Sequence, residues 1–168
     1  MSLSKSITHY TRRALLVGAV AVLAGCGFTP IYGEKGSASN LRGKVTYDTP
    51  DTLDGYHLRK RLQRRLGQTE TAQYQLTVRT TLSSSSVGIA EDSTVLRATL
   101  TGSATFSLVD STGAVVTNGT VETFSGYSTT GNVVSTRSAE QDAHERLSIA
   151  LADLIVAHIL ATQVADNP

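Results

Sequence analysis

From Leu96 to Leu108 the chain alternates. Leu96, Ala98, Leu100, Ala104, Phe106 and Leu108 are apolar, and Arg97, Thr99, Thr101, Ser103, Thr105 and Ser107 fall between them. A period of two over that length predicts a strand with one buried face. Tyr74 to Leu82 follows the same rule, with Tyr74, Leu76, Val78 and Leu82 against Gln75, Thr77, Arg79 and Thr81. Asp110-Ser111-Thr112-Gly113 is turn chemistry, so a strand from about Ala114 to Tyr127 is expected to return antiparallel, with a bulge at Asn118-Gly119. A shorter alternation, Leu41 to Tyr47, predicts a first strand that Thr49-Pro50-Asp51 ends.

Two segments change period. Leu58, Leu62 and Leu66 lie one helical turn apart, Asp51 or Thr52 can cap the start, and Gly67 can end the helix. Ser128 to Arg137 reads as a polar loop. Ser138-Ala139-Glu140-Gln141 then reads as a capping box that opens a helix from Ala139 to about Thr162, with Ala143, Leu147, Leu151, Leu154, Ile155 and His158 on its apolar face. The order is strand, helix, three-strand meander, long helix. It predicts an α+β two-layer sandwich, with two helices packed on one face of a four-stranded mixed sheet.

The first 25 residues stand apart from this pattern. Lys5, Arg12 and Arg13 precede the apolar run Ala14 to Leu23, and Leu23-Ala24-Gly25-Cys26 contains the only cysteine of the 168-residue chain. The run is shorter than the ~20 residues a permanent membrane helix needs. It suits a signal core, and the small residues before Cys26 suit a lipoprotein cleavage site. The division expected is therefore 1–25 signal peptide, 26–40 lipidated tether containing Pro30, Gly33 and Gly36, 41–163 folded domain and 164–168 frayed tail. Lipid on Cys26 would anchor the chain to a membrane and leave no thiol for a disulfide. Gly27 in place of an aspartate favours the outer membrane, by analogy with lipoprotein sorting. Thr11-Arg12-Arg13 leaves both general and twin-arginine export open.

Charge narrows the function classes. The whole chain has 15 basic and 14 acidic residues, and the leader removes three bases and no acid. The remainder is slightly acidic, which gives a nucleic-acid role no support. No catalytic or metal constellation is visible: His57, His144 and His158 lack ligand spacing, no serine lies in a Gly-x-Ser-x-Gly elbow, and no phosphate loop occurs. Neither an enzyme nor a cofactor is expected. The outward positions of the meander are mostly Thr and Ser with few charges. Such a face fits an ordinary secreted domain, or a surface inserted into the polar cavity of a partner.

Cys26-Gly27-Phe28-Thr29-Pro30-Ile31-Tyr32-Gly33, the basic helix ending at Gly67, the Thr-rich meander and Glu140-Gln141-Asp142 together resemble the LptE lipoproteins of lipopolysaccharide assembly, most closely their alphaproteobacterial branch. The resemblance covers the whole chain after the leader. It implies a plug inside the outer-membrane LptD β-barrel that assists barrel assembly and binds lipopolysaccharide in transit to the cell surface. The family's basic lipopolysaccharide contacts fall on Arg137, expected in the loop after the last strand, and less directly on Arg97. The turn from Val87 to Thr94, where a second base is expected, carries Glu91 and Asp92 instead. Guanidinium groups suit phosphate through bidentate bonding. Arg59, Lys60, Arg61, Arg64 and Arg65 could meet anionic headgroups, or form a solvated or partner-facing surface. Rival readings are an adaptor lipoprotein of another envelope complex, an envelope hydrolase, and a free lipid carrier. The hydrolase would need a paired nucleophile and base, and the carrier an apolar cavity.

Overall fold

The computed structural model describes residues 41–69, 71–89, 95–130 and 132–165. The expected leader, Cys26 and the expected tether, the acids Glu91 and Asp92, and residues 166–168 lie outside the described residues. The elements are β1 (Val45–Asp48), α1 (Leu53–Leu66), β2 (Tyr74–Ile89), β3 (Val95–Asp110), β4 (Val115–Ser128) and α2 (Val133–Ala165). They form one sheet in the order β1-β2-β3-β4. β1 and β2 are parallel, which the intervening α1 permits as a crossover, and the remaining pairs are antiparallel. Both helices supply the core on one sheet face, so the fold is the α+β two-layer sandwich with a mixed sheet that the pattern implies.

The first strand begins later than its alternation suggests. Leu41 is buried, but the backbone of residues 41–43 is used in a turn. The Lys44 N–H donates to the Leu41 carbonyl at 3.1 Å, and the Gly43 N–H donates to the Leu66 carbonyl at 2.7 Å. These residues cap the end of α1 instead of extending the sheet. At its start, the Thr52 hydroxyl accepts from the Gly55 N–H at 3.1 Å. Gly67 ends the helix with φ 87°, a conformation suited to glycine.

The three long strands extend past the predicted ends. Residues 83–85 are exposed on both faces. There serines stand on both faces, so no alternation marks the strand, and pairing with residues 99–101 of β3 carries it onward. The bulge also moves. Asn118 and Gly119 pair regularly with Ser107 and Phe106, and the irregularity lies where Leu108 and Val109 face Thr117 and Val115. Gly119 serves a different purpose: a Cβ there would lie 3.1 Å from the His158 ring and 3.2 Å from the Phe106 ring.

α2 begins at Val133, within the predicted loop. Asn132 caps it: its side-chain oxygen accepts from the Ser135 N–H at 2.9 Å, and the Ser135 hydroxyl donates to the Asn132 carbonyl at 2.8 Å. Ser138 to Gln141 is helix interior, not a capping box. The early start was hidden because Val133 and Val134 are exposed and give no amphipathic period. Ala143, Leu147, Leu151 and Ile155 are buried as expected, joined by Ala152, Val156, Ile159 and Leu160, whereas Leu154 is 40% exposed. His158 is exposed too, and packs edge-on against Phe106 with centroids 5.2 Å apart.

The Tyr47 hydroxyl donates to the Gly67 carbonyl at 2.6 Å, tying β1 to the end of α1. Burial pushes its phenol above the ordinary tyrosine range, so this bond is present at neutral pH and is lost only as pH rises into strong alkali. Tyr47→Phe removes the donor and is expected to lower unfolding free energy by about 1–2 kcal/mol at neutral pH, measured by urea titration.

Candidate functional site

α1 and α2 run side by side in the same direction, because early residues of one meet early residues of the other. His144 Nδ1 lies 3.0 and 3.1 Å from the two Asp54 carboxylate oxygens. The Ser148 hydroxyl reaches Asp54 at 3.4 Å and the His144 carbonyl at 2.9 Å. His57 Nδ1 is 3.6 Å from Glu145. Further along, Arg61 grips Asp153 with two bonds of 3.0 and 2.8 Å, and Arg65 approaches the same carboxylate at 3.5 Å. The seam thus has imidazoles near its N-terminal end and guanidinium groups near its C-terminal end. Partial exposure keeps each such pair to roughly 1 kcal/mol or less, so their main effect is to set the helix register.

Above the imidazole pairs lies an open cleft of about 290 Å³ lined by Leu53, Asp54, His57, Arg137, Glu140, Gln141 and His144. Arg137 is on the early turns of α2 and not in a loop. The capping of α2 by Asn132 puts it there, because the helix starts ahead of it. The cleft combines one guanidinium, two imidazoles, two carboxylates and the 65%-exposed side chain of Leu53. It can accept an anionic group against an apolar wall, with its carboxylates limiting net positive charge. Asp54 engages His144 Nδ1, His57 Nδ1 faces Glu145, and Ser148 bonds to Asp54 and a carbonyl instead of a histidine nitrogen, so no hydroxyl nucleophile is paired with an imidazole base in this cleft. Among the described residues no group of three or more potential ligands could hold a metal ion.

Arg97 lies in β3, paired with Ser128 of β4 and Val87 of β2, and is exposed. Ser128 ends β4 shortly before α2 begins, so Arg97 and Arg137 belong to the same end of the molecule. They occupy different layers: Arg97 projects from the sheet face opposite the helices, and Arg137 stands on the helix layer. They do not converge on one pocket.

That opposite face is a field of hydroxyls. Rows such as Ser85–Thr99, Ser83–Thr101 and Thr77–Ser107 cross it, and the Thr105 and Thr120 hydroxyls meet at 3.2 Å. Its charges are few, with Arg79 and Asp48 paired at 3.0 Å near the β1 edge. Phe124, opposite Thr101 and on the edge strand β4, is 73% exposed on it. The irregular period of β4 concealed this aromatic residue; its odd spacing from Val121 was the signal that could have found it.

The basic residues of α1 separate by direction. Arg61 and Arg65 turn to Asp153, Arg59 is half-buried beside Tyr47 and Gln63, and Lys60 and Arg64 are exposed.

A family model described as LptE, Lipopolysaccharide-assembly, matches residues 43–159, nearly the whole described domain. The chain belongs to the LptE family. Solved structures agree on the LptE-type fold. A lipoprotein from Caulobacter crescentus CB15 is 23% identical, with TM-score 0.63, covering 79% of this chain and 98% of its own. Rare lipoprotein B from Shewanella oneidensis is 15% identical, with TM-score 0.59, covering 74% and 99%. A minor lipoprotein from Acinetobacter baumannii is 20% identical, with TM-score 0.58, covering 72% and 92%. No curated protein sequence matches the chain significantly. LptE membership associates the chain with lipopolysaccharide assembly in general terms.

Proposed function

We propose that this chain is a non-enzymatic outer-membrane lipoprotein, anchored through Cys26, that fills the lumen of an LptD-type β-barrel, assists its assembly and contacts lipopolysaccharide during transport. The observation that carries the glycolipid contact is the cleft in which Arg137 stands beside the exposed Leu53. A phosphorylated, acylated sugar offers a partner for each: phosphate for the guanidinium and hydrocarbon for the leucine. Arg97, at the same end on the sheet side, is a secondary contact. The hydroxyl-rich sheet face supports the plug reading, since it can be enclosed by a polar lumen with little desolvation of charge. The mechanism is binding and steric occupancy.

Arg137→Asp is expected to weaken lipopolysaccharide binding by ~10-fold or more, the loss of about 1.4 kcal/mol that one charge-assisted contact can supply. Capture of the barrel should be unchanged. The check is a titration of the purified protein with lipopolysaccharide at matched salt, beside a mild-detergent pull-down from the native envelope. Unchanged affinity would remove Arg137 from the site. A pull-down bringing a different envelope complex would instead favour an adaptor lipoprotein.

A further inference from the structure

We infer that the outward face of α1 is a docking surface for an anionic phospholipid bilayer, used to orient the anchored domain before it enters the barrel. It rests on the anchor proposed above, which would hold the domain near a membrane.

At about 100° per residue, Leu53, Tyr56, Lys60 and Arg64 form one stripe along α1, diametrically opposite the buried Gly55, Leu58, Leu62 and Leu66. All four stripe residues are exposed: Leu53 at 65%, Tyr56 at 47%, and Lys60 and Arg64 openly. The Lys60 ammonium sits 5.7 Å from the centre of the Tyr56 ring. No carboxylate shares the stripe. Asp54 faces His144, Asp153 holds Arg61 and Arg65, and Glu145 on the flank is matched by His57. The structure has therefore sorted the cluster: Arg61 and Arg65 bind Asp153 of α2, while Lys60 and Arg64 point away beside the Tyr56 ring, with Leu53 where the stripe meets the cleft.

Leu53 and Tyr56 add exposed apolar surface beside those charges. Apolar and aromatic groups beside lysine and arginine suit the boundary of a charged bilayer, where the rings and chains enter the headgroup layer and the cations meet phosphate. Two bases and two apolar side chains make a weak contact. It cannot hold the protein alone, but it can choose an orientation for a domain already tethered.

The chain contains no tryptophan, so Tyr56→Trp introduces a single reporter. The lipidated full chain is reconstituted into vesicles of phosphatidylcholine alone, or phosphatidylcholine with phosphatidylglycerol. Flotation with both vesicle types reports the anchor separately from the face. The expected result is a blue-shifted emission, quenched by brominated lipid, in the anionic vesicles only. It should be lost at ~1 M salt, where the Debye length is about 3 Å, and on adding Lys60→Glu and Arg64→Glu. Ser111→Trp, in the exposed β3–β4 turn, is the reference that should not respond. If the Tyr56→Trp protein floats with both vesicle types and its emission is the same in each, the inference is overturned. The same follows from an equal response at position 111, a response to lipopolysaccharide micelles but not to phosphatidylglycerol, or shielding only when the barrel partner is added.

Discussion

Phe106→Ala is expected to destabilise the domain by about 3–5 kcal/mol, the range for removing a buried phenylalanine. Phe106 is 1% exposed in the middle of β3, a strand paired on both sides. Its neighbours Leu76, Val78, Leu108 and the α2 residues Leu151 and Ile155 belong to the same core cluster. Those side chains project from a regular ladder and a long helix, so they cannot collapse into the space. The ring also supports the edge-on contact with His158 over Gly119, which alanine would leave without a partner. At ~4 °C per kcal/mol for a domain of this size, the midpoint of thermal unfolding should fall by ~12–20 °C. A fall under ~5 °C would mean that the core relaxes far more than its packing suggests. Lipopolysaccharide affinity of the remaining folded protein should be little changed, because Phe106 is remote in the fold from the cleft.

Gly55→Ala should act by the opposite route, crowding. Gly55 is buried in the first turn of α1, and a Cβ there would run into the carbonyl of Pro50. The obstacle is backbone on both sides, so no rotamer change relieves it. The first turn must lift away from the 49–52 segment, breaking the Thr52 cap. A cost of about 3 kcal/mol or more, at the upper end for overpacking, is expected in denaturant titrations. Leu53 and Asp54 ride on that same turn and form one wall of the Arg137 cleft. Gly55→Ala should therefore weaken lipopolysaccharide binding as well, although residue 55 makes no contact with ligand. Wild-type affinity in a destabilised Gly55→Ala protein would separate the cleft from glycolipid binding. Stability equal to wild type would show that the Pro50 segment moves freely.

The glycine illustrates a difference in legibility. As a residue in a helix it reads only as a weak point, since glycine disfavours the helical state. Its importance comes from Pro50, brought against it by the chain reversal between β1 and α1. Arg137 is similar. Its identity as a base near the last helix was readable, but its loop address was not correct. The Ser138 capping box obeys a good local rule, yet Asn132 captures the helix start by accepting from the Ser135 N–H, and the two exposed valines after it hid that start. Cap choice among competing polar residues depends on where the strand before it ends.

The sequence by itself determined the order of elements, the two-layer α+β class and the inward positions of β3, because burial on one face imposes a period of two or 3.6 that composition cannot counterfeit. It also determined the polar character of the outer sheet face and the cluster of bases on the first helix. Only the tertiary structure decided which of those bases turn to Asp153 and which face outward, and that Asp54, His144 and Arg137 share one cleft while Arg97 stands on the other layer. Those outcomes depend on contacts between residues about 90 positions apart, such as Arg61 with Asp153 and Asp54 with His144. Local propensity carries no record of such pairs, because they exist only once the helices have packed side by side.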